Sequence, residues 1–140
     1  MKSDFIINNL KQTFSKSERL CSPKIIERLF KRGSSEVHTF YLFPFRVLYI
    51  YDSTTVPQPT QVLFSVSKKQ FKKAVDRNLI RRRCKESYRL NKELLYSNDA
   101  VERPAYIAFL YLAKETSAFS VIDKAIRKIL PRMGESDNNH

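Results

Sequence analysis

Glycine is nearly missing from this 140-residue chain, which contains only Gly33 and Gly134. Two glycines so far apart cannot form a Gly-x-Gly loop. The sequence therefore excludes the dinucleotide-binding fingerprint, the phosphate-cradling P-loop and the protein-kinase loop. Candidate zinc ligands are also scarce, because the two cysteines and two histidines do not have the spacing of a closed zinc site.

Long hydrophobic runs are missing as well. No stretch of about 18 apolar residues occurs, so the sequence predicts no membrane-spanning helix. The first residues contain Asp4 and only a short apolar run, which is not typical of a secretion signal. We expect a cytoplasmic protein in which Cys21 and Cys84 are free thiols, although the sequence leaves a bridge between them open.

Acidic residues are few compared with basic ones. The chain has 26 Lys and Arg against 14 Asp and Glu, a net charge of +12. Such an excess predicts a polyanionic partner, with nucleic acid first and an anionic membrane surface second. The length fits one domain. We expect a loosely ordered N-terminal segment over residues 1–18, a single RNA-binding domain over 19–132, and a disordered polar tail over 133–140.

Hydrophobic periodicity and helix-boundary residues predict the order helix, strands, helix, strand, helix. The first helix should follow Ser22, begin at Pro23 and end before Gly33. Strands are expected near 37–40 and over 45–51, 62–67 and 105–113. A basic helix from about Phe71 to about Leu94, a loop over 95–104 and a last helix over 120–130, ended by Pro131, complete the pattern. These elements predict an α/β (α+β) fold, a two-layer sandwich around a small mixed sheet of about four strands.

The long basic helix sorts its charges to one side. At about 100° per residue, one stripe holds Arg77, Asn78, Arg81, Arg82 and Lys85. Ile80, Cys84 and Tyr88 fall on another face, which is expected to pack on the sheet. Like charges spaced i,i+4 repel by a few tenths of a kcal/mol per pair, roughly. The stripe is therefore explained by phosphates that neutralise it; the alternative is a solvated basic face without a ligand.

The same stretch resembles a known family. Its segments SVSKK and AV-x-RN-x-I-R-R-x-x-K-E closely resemble the signature of the bacterial ribonuclease P protein subunit, and the resemblance extends over roughly residues 14–130. The matching residues are Lys68, Lys69, Arg77, Asn78, Arg81, Arg82, Lys85 and Glu86. Several positions depart from the family pattern. Leu63 stands where the family usually has a glycine, and Lys85 replaces the more common arginine. Arg83 stands where the family is usually apolar, and Ile26 where it often has an aromatic residue.

The resemblance implies a function. The family's protein binds a catalytic RNA subunit and the 5′ leader of precursor tRNA, and it assists the magnesium-dependent endonucleolytic removal of that leader. By residue matching, the RNA subunit would contact Lys68, Lys69, Arg77, Asn78, Arg81, Arg82 and Lys85. The leader would lie in a cleft lined by Ile26, Phe30 and Tyr49. The RNA would hold most of the magnesium, the protein would supply no catalytic residue or metal ligand, and the sheet would contain a left-handed β-α-β crossover.

The residues alone leave alternatives open. The composition also fits a structural or ribosomal-type RNA-binding protein without a catalytic partner. A protein nuclease acting alone is not expected, because the acids are scattered, His38 lies in a segment predicted to be irregular, and His140 is the last residue. Neither a membrane nor an obligate protein partner is indicated. Phe30 and Tyr49 fit either a cleft wall or the hydrophobic core.

Overall fold

A computed structural model of the chain describes residues 12–52, 59–96 and 103–133. Within these ranges the elements are α1 (Pro23–Phe30), β1 (Val37–Leu42), β2 (Phe45–Ile50), β3 (Gln61–Val66), α2 (Ala74–Asn91), α3 (Glu93–Tyr96), β4 (Tyr106–Tyr111) and α4 (Phe119–Met133). A single 3₁₀ turn, Lys16–Glu18, precedes α1. The predicted order of helices and strands is confirmed, and no described helix is long and apolar enough to cross a membrane.

The four strands form one mixed sheet in the order β1-β2-β4-β3. β1 pairs antiparallel with β2 and β2 pairs antiparallel with β4, whereas β3 and β4 are parallel. Parallel neighbours need a crossover connection, and α2 and α3 lie in the chain between β3 and β4. The predicted α+β class with a four-stranded mixed sheet is confirmed. The left-handedness of the crossover stays a prediction.

Side-chain alternation along β2 divides the core between the two faces of the sheet. Phe45 and Val47 belong to a large core that also contains buried residues of α2 and α4. Leu48 and Ile50 belong to a smaller core with Leu29 of α1. The main sandwich therefore consists of the sheet with α2, α3 and α4, and α1 adds a partial cover on the opposite face.

Both long helices have boundaries that differ from the sequence prediction. α2 begins at Ala74 and not at Phe71. The Phe71 side chain is instead packed in the core, where its ring centroid lies 5.8 Å from that of Tyr111. α4 continues through Pro131 to Met133 instead of ending at Leu130. Burial of Leu130 and Met133 holds this last turn against the sheet. Pro131 has no backbone N–H, so the carbonyl of Arg127, four residues earlier, loses its helical hydrogen bond. The helix tolerates this loss because Arg127 is exposed to water.

The predicted loop over residues 95–104 is wrong at its beginning. Leu95 and Tyr96 belong to α3 and are buried. The Tyr96 hydroxyl accepts a hydrogen bond of 2.9 Å from the backbone N–H of Thr60, so this short helix is fixed against the start of β3. Residues 97–102 lie outside the described residues.

The sequence predicts a loosely ordered segment over residues 1–18, of which the structure describes residues 12–18. The Phe14 ring packs edge-on against Phe64 and Tyr88, with centroid distances of 5.9 and 5.6 Å. Glu18 and Lys92 form a buried ion pair of 2.7 Å. The segment is thereby fastened over the large core. Residues 1–11 and 134–140 lie outside the described residues.

The two cysteines are free thiols in different surroundings. Cys21 is exposed and Cys84 is buried. Burial raises the pKa of the Cys84 thiol to about 12, because a thiolate is poorly solvated in the core. The bridge that the sequence left open is therefore not formed.

Candidate nucleic-acid interface

The predicted stripe of α2 lies on the surface of the molecule. Ile80, Cys84 and Tyr88 are buried in the large core, so the opposite side of the helix faces outward. Asn78, Arg82 and Lys85 are exposed and Arg81 is half-buried. Among the described residues, no carboxylate lies within ion-pairing distance of Arg81, Arg82 or Lys85. These three cations are available for an anionic ligand.

Three residues of the stripe, Arg77, Asn78 and Arg81, already have hydrogen-bond partners within the protein. The Arg77 guanidinium donates hydrogen bonds to the backbone carbonyls of Phe71 and Lys72, at 2.7 and 3.0 Å. Arg77 therefore fixes the chain that leads into α2. The Asn78 side-chain carbonyl accepts a hydrogen bond of 2.7 Å from Arg81, which leaves the Asn78 amide hydrogens for a ligand.

The predicted lysine pair follows β3 in a tight turn. The Ser67 hydroxyl accepts a hydrogen bond from the backbone N–H of Lys69 at 3.1 Å, which organises the turn. Lys68 and Lys69 are exposed, as are the next lysines, Lys72 and Lys73. We call the exposed cations of this turn and of α2 the basic surface: Lys68, Lys69, Lys72, Lys73, Arg81, Arg82 and Lys85.

Arg83 does not belong to the basic surface. Its guanidinium donates a hydrogen bond of 2.6 Å to the backbone carbonyl of Ser117. The Tyr111 hydroxyl bonds to the same loop, at 2.8 Å from Ser117 Oγ. Arg83, which departs from the family pattern, thus fastens the connection between β4 and α4 to α2.

A groove of about 330 Å³ lies between the end of α1 and the sheet. Its apolar lining includes Leu48 and the Phe30 ring, which is 44 % exposed. Three cations, Lys31, Arg32 and Arg46, line the same groove. Gly33 turns the chain at the groove's end with a φ of +73°, a conformation that costs glycine little. The groove combines an aromatic face with positive charge.

The predicted cleft of Ile26, Phe30 and Tyr49 is wrong for Tyr49. Ile26 packs against the smaller core on the α1 side of the sheet. Tyr49 points to the other side, where its ring stacks on His38 at 5.2 Å and packs against the large core. Successive residues of a strand face opposite ways, so Leu48 and not Tyr49 lies in the groove.

The described residues contain no group of three or more His, Cys, Asp or Glu side chains arranged to hold a metal ion. Two exposed glutamates, Glu36 and Glu86, form ion pairs with arginines. Glu36 accepts a hydrogen bond of 2.8 Å from Arg28, which lowers the pKa of its carboxyl. Arg89 holds Glu86 in the same way, at 2.6 Å.

Comparisons with known proteins show which family the chain resembles. The sequence model of the family described as Ribonuclease P matches residues 14–134. A ribonuclease P protein component from Porphyromonas gingivalis is 39 % identical over 122 residues, which cover 85 % of this chain and 85 % of that protein. A second, from Chlorobaculum tepidum, is 35 % identical over 98 residues, covering 64 % of this chain and 60 % of that one.

The fold also matches a solved structure. The Staphylococcus aureus RNase P protein superimposes with a TM-score of 0.64, at 20 % identity, over 86 % of this chain and 100 % of that one. At this identity the similarity concerns the fold alone.

Proposed function

Because the chain belongs to the ribonuclease P protein family, we propose that its basic surface binds the phosphate backbone of the catalytic RNA subunit and its groove binds the 5′ leader of precursor tRNA. The protein is a subunit of ribonuclease P, which places it in a ribonucleoprotein with the ribonuclease P RNA. The observation that carries the proposal is the row of unpaired cations on α2, Arg81, Arg82 and Lys85, continuous with the lysine turn.

The chemistry of the basic surface favours an RNA backbone. Lysines and arginines displace condensed counterions when they contact phosphates, and this release supplies much of the affinity for nucleic acids. The arginine fork can contact a phosphate through two N–H groups at once, so Arg81 and Arg82 can fix orientation as well as attract charge. The ribosomal-type alternative is not favoured, since the family match covers nearly the whole described chain.

The groove suits a single strand. Bases stack on aromatic rings with little regard to sequence, which is what a subunit acting on many different tRNA precursors requires. Phe30 supplies such a ring, and Lys31, Arg32 and Arg46 are placed to neutralise the phosphates between bases.

The chemical step belongs to the RNA in this proposal. Magnesium needs several oxygen ligands in near-octahedral geometry, and the described carboxylates are not grouped to provide them. When bound by the RNA subunit, magnesium would supply the activated water and stabilise the leaving oxygen. The protein's residues bind and orient the two RNAs. The site of action is the cytoplasm, where precursor tRNA is processed.

A cleavage assay tests this function. We expect the purified protein to cleave no RNA alone, and to increase the cleavage of precursor tRNA when the RNA subunit and magnesium are present. Omitting each component in turn identifies which one carries the chemistry. Cleavage by the protein alone, persisting after nuclease treatment has removed contaminating RNA, would overturn the proposal.

Phe30 offers a test of the groove. We expect Phe30→Ala to weaken holoenzyme binding of precursor tRNA by about 1–3 kcal/mol, the typical value of one stacked base, and to leave binding of mature tRNA unchanged. Tyr49→Ala is the matched control, because Tyr49 lies on the opposite face of the sheet. Competition binding with both tRNAs measures the effect. Equal losses for both tRNAs, with a lowered melting temperature, would mean that Phe30 is only a packing residue.

A further inference from the structure

Two aromatic rings project into solvent at the end of the β1–β2 hairpin. Tyr41 and Phe43 are each 68 % exposed. Single exposed apolar residues are ordinary, but neighbouring ones that form a patch mark contact surfaces. Leu112 adds to the patch: it is 40 % exposed, and its backbone N–H donates to the carbonyl of Pro44 in the hairpin turn at 2.8 Å.

Tyr41 lies on the same face of the sheet as the groove. Along β1, Val37 and Thr39 line the groove, whereas Phe40 and Leu42 pack against the large core on the other face. Strand alternation therefore places Tyr41 on the groove face. Its direct cross-strand partner is Arg46, which itself lines the groove.

No described helix packs over this part of the sheet. α1 packs over Leu48 and Ile50, nearer the other end of β2. Toward the hairpin this face presents Tyr41, Arg46, Leu110 and Leu112. Together with Phe43, which is exposed in the adjoining hairpin turn, we call them the platform. Arg46 pairs with Leu110 of β4 in the sheet register, and both line the groove. The groove therefore opens directly onto the platform.

Charge restricts what can occupy the platform. Residues 37–51 and 61–75 contain no Asp or Glu, and they include Arg46 and four lysines, Lys68, Lys69, Lys72 and Lys73. A second copy of a chain with a net charge of +12 would be repelled. A lipid surface requires a broad apolar face of bulky residues, which two rings and Leu112 do not form. Aromatic rings beside cations are the composition that binds single-stranded nucleic acid.

We propose that the platform extends the leader-binding groove, and that Tyr41 and Phe43 stack on leader nucleotides farther from the cleavage position than the nucleotide on Phe30. The proposal rests on the leader-binding function proposed above and deepens it. It predicts that the protein recognises leader length: a leader too short to reach the hairpin gains nothing from the platform, whereas a longer one gains a stacking contact for each ring.

The test uses the holoenzyme and a series of precursor tRNAs whose leaders are lengthened one nucleotide at a time. The variant Tyr41→Leu/Phe43→Leu keeps apolar bulk and removes the aromatic faces. We expect it to bind short-leader substrates like the wild type and to lose affinity once the leader reaches the hairpin, by about fivefold or more for each lost stack. The swap Tyr41→Phe/Phe43→Tyr should follow the wild type at every length.

The control is Val121→Ala, an exposed residue of α4, which should follow the wild type throughout. The inference is overturned if the leucine variant has the same affinity as the wild type at every leader length, or if its affinity for mature tRNA falls by the same factor. It is also overturned if the wild type self-associates in sedimentation velocity and the leucine variant does not, since the platform would then bind a second copy of the chain. The leader-binding function fails separately: in that case the wild type gains no affinity from any leader and Phe30→Ala has no effect.

Discussion

Replacing Lys92 by methionine is expected to lower the free energy of unfolding by about 3–5 kcal/mol, the typical result of breaking a buried ion pair from one side. Lys92 Nζ donates to Glu18 Oε1 and to the backbone carbonyl of Thr13, both at 2.7 Å. The two side chains are 5 % and 7 % exposed. Methionine fills the space of the lysine stem, so the loss comes from the Glu18 carboxylate, which would remain buried without its cation.

Urea unfolding measures this effect, and the chain offers two controls. The double variant Lys92→Met/Glu18→Gln should recover part of the loss, because no unpaired charge remains. Arg28→Met removes a partly exposed partner of Glu36 and Asp52, and each pair of this kind contributes only about 0–1 kcal/mol. If Lys92→Met costs no more than Arg28→Met, the buried pair does not fasten the N-terminal segment.

The triple variant Arg81→Gln/Arg82→Gln/Lys85→Gln is expected to weaken binding to the RNA subunit by about a thousandfold or more at low salt, since each contact to a charged group contributes about 1.5 kcal/mol or more. The slope of log affinity against log salt should fall by about three, or about one for each phosphate contact. Glutamine retains side-chain length and helix propensity. Affinity measured across a salt series gives both quantities.

A matched variant exists on α4. Lys124, Arg127 and Lys128 are also exposed, and changing them to glutamine removes the same charge from a different helix. That variant should keep the salt slope of the wild type. Equal effects of the two triple variants would show that only the net charge attracts RNA and that α2 makes no specific contacts. Arg77 is left unchanged because its guanidinium supports the backbone before α2, and its loss would also lower stability.

Much of the fold was predictable because local signals agreed. Ser22 and Pro23 predicted the start of α1, and the structure begins that helix at Pro23. The end of α4 was not predictable, since Pro131 usually ends a helix and only the burial of Met133 keeps the last turn helical. Phe71 shows the reverse effect: it fits a helical pattern but is held in the core before α2 begins.

The candidate interface divides in the same way. The stripe of α2 was predictable, because helical periodicity alone separates Arg82 and Lys85 from Ile80 and Cys84. The groove was not, because its cations come from α1, the following turn and β2, which meet only in the folded chain. Strand alternation separates Tyr49 from Leu48, but the sequence could not show which side of β2 would be covered by α1. The guanidinium groups of Arg77 and Arg83 donate to backbone carbonyls. A pattern of residue types cannot predict such hydrogen bonds, because every residue has a backbone carbonyl.

The difference in exposure between Cys21 and Cys84 allows a fluorescent label to be attached at one position. A maleimide dye reacts with thiolates, so at neutral pH it should attach to exposed Cys21 and spare Cys84. Cys21 stands just before α1, and a helix of eight residues rises about 12 Å to the groove at its other end. The natural sequence therefore accepts a single donor fluorophore, and energy transfer to an acceptor on the leader's 5′ end would report where the strand travels.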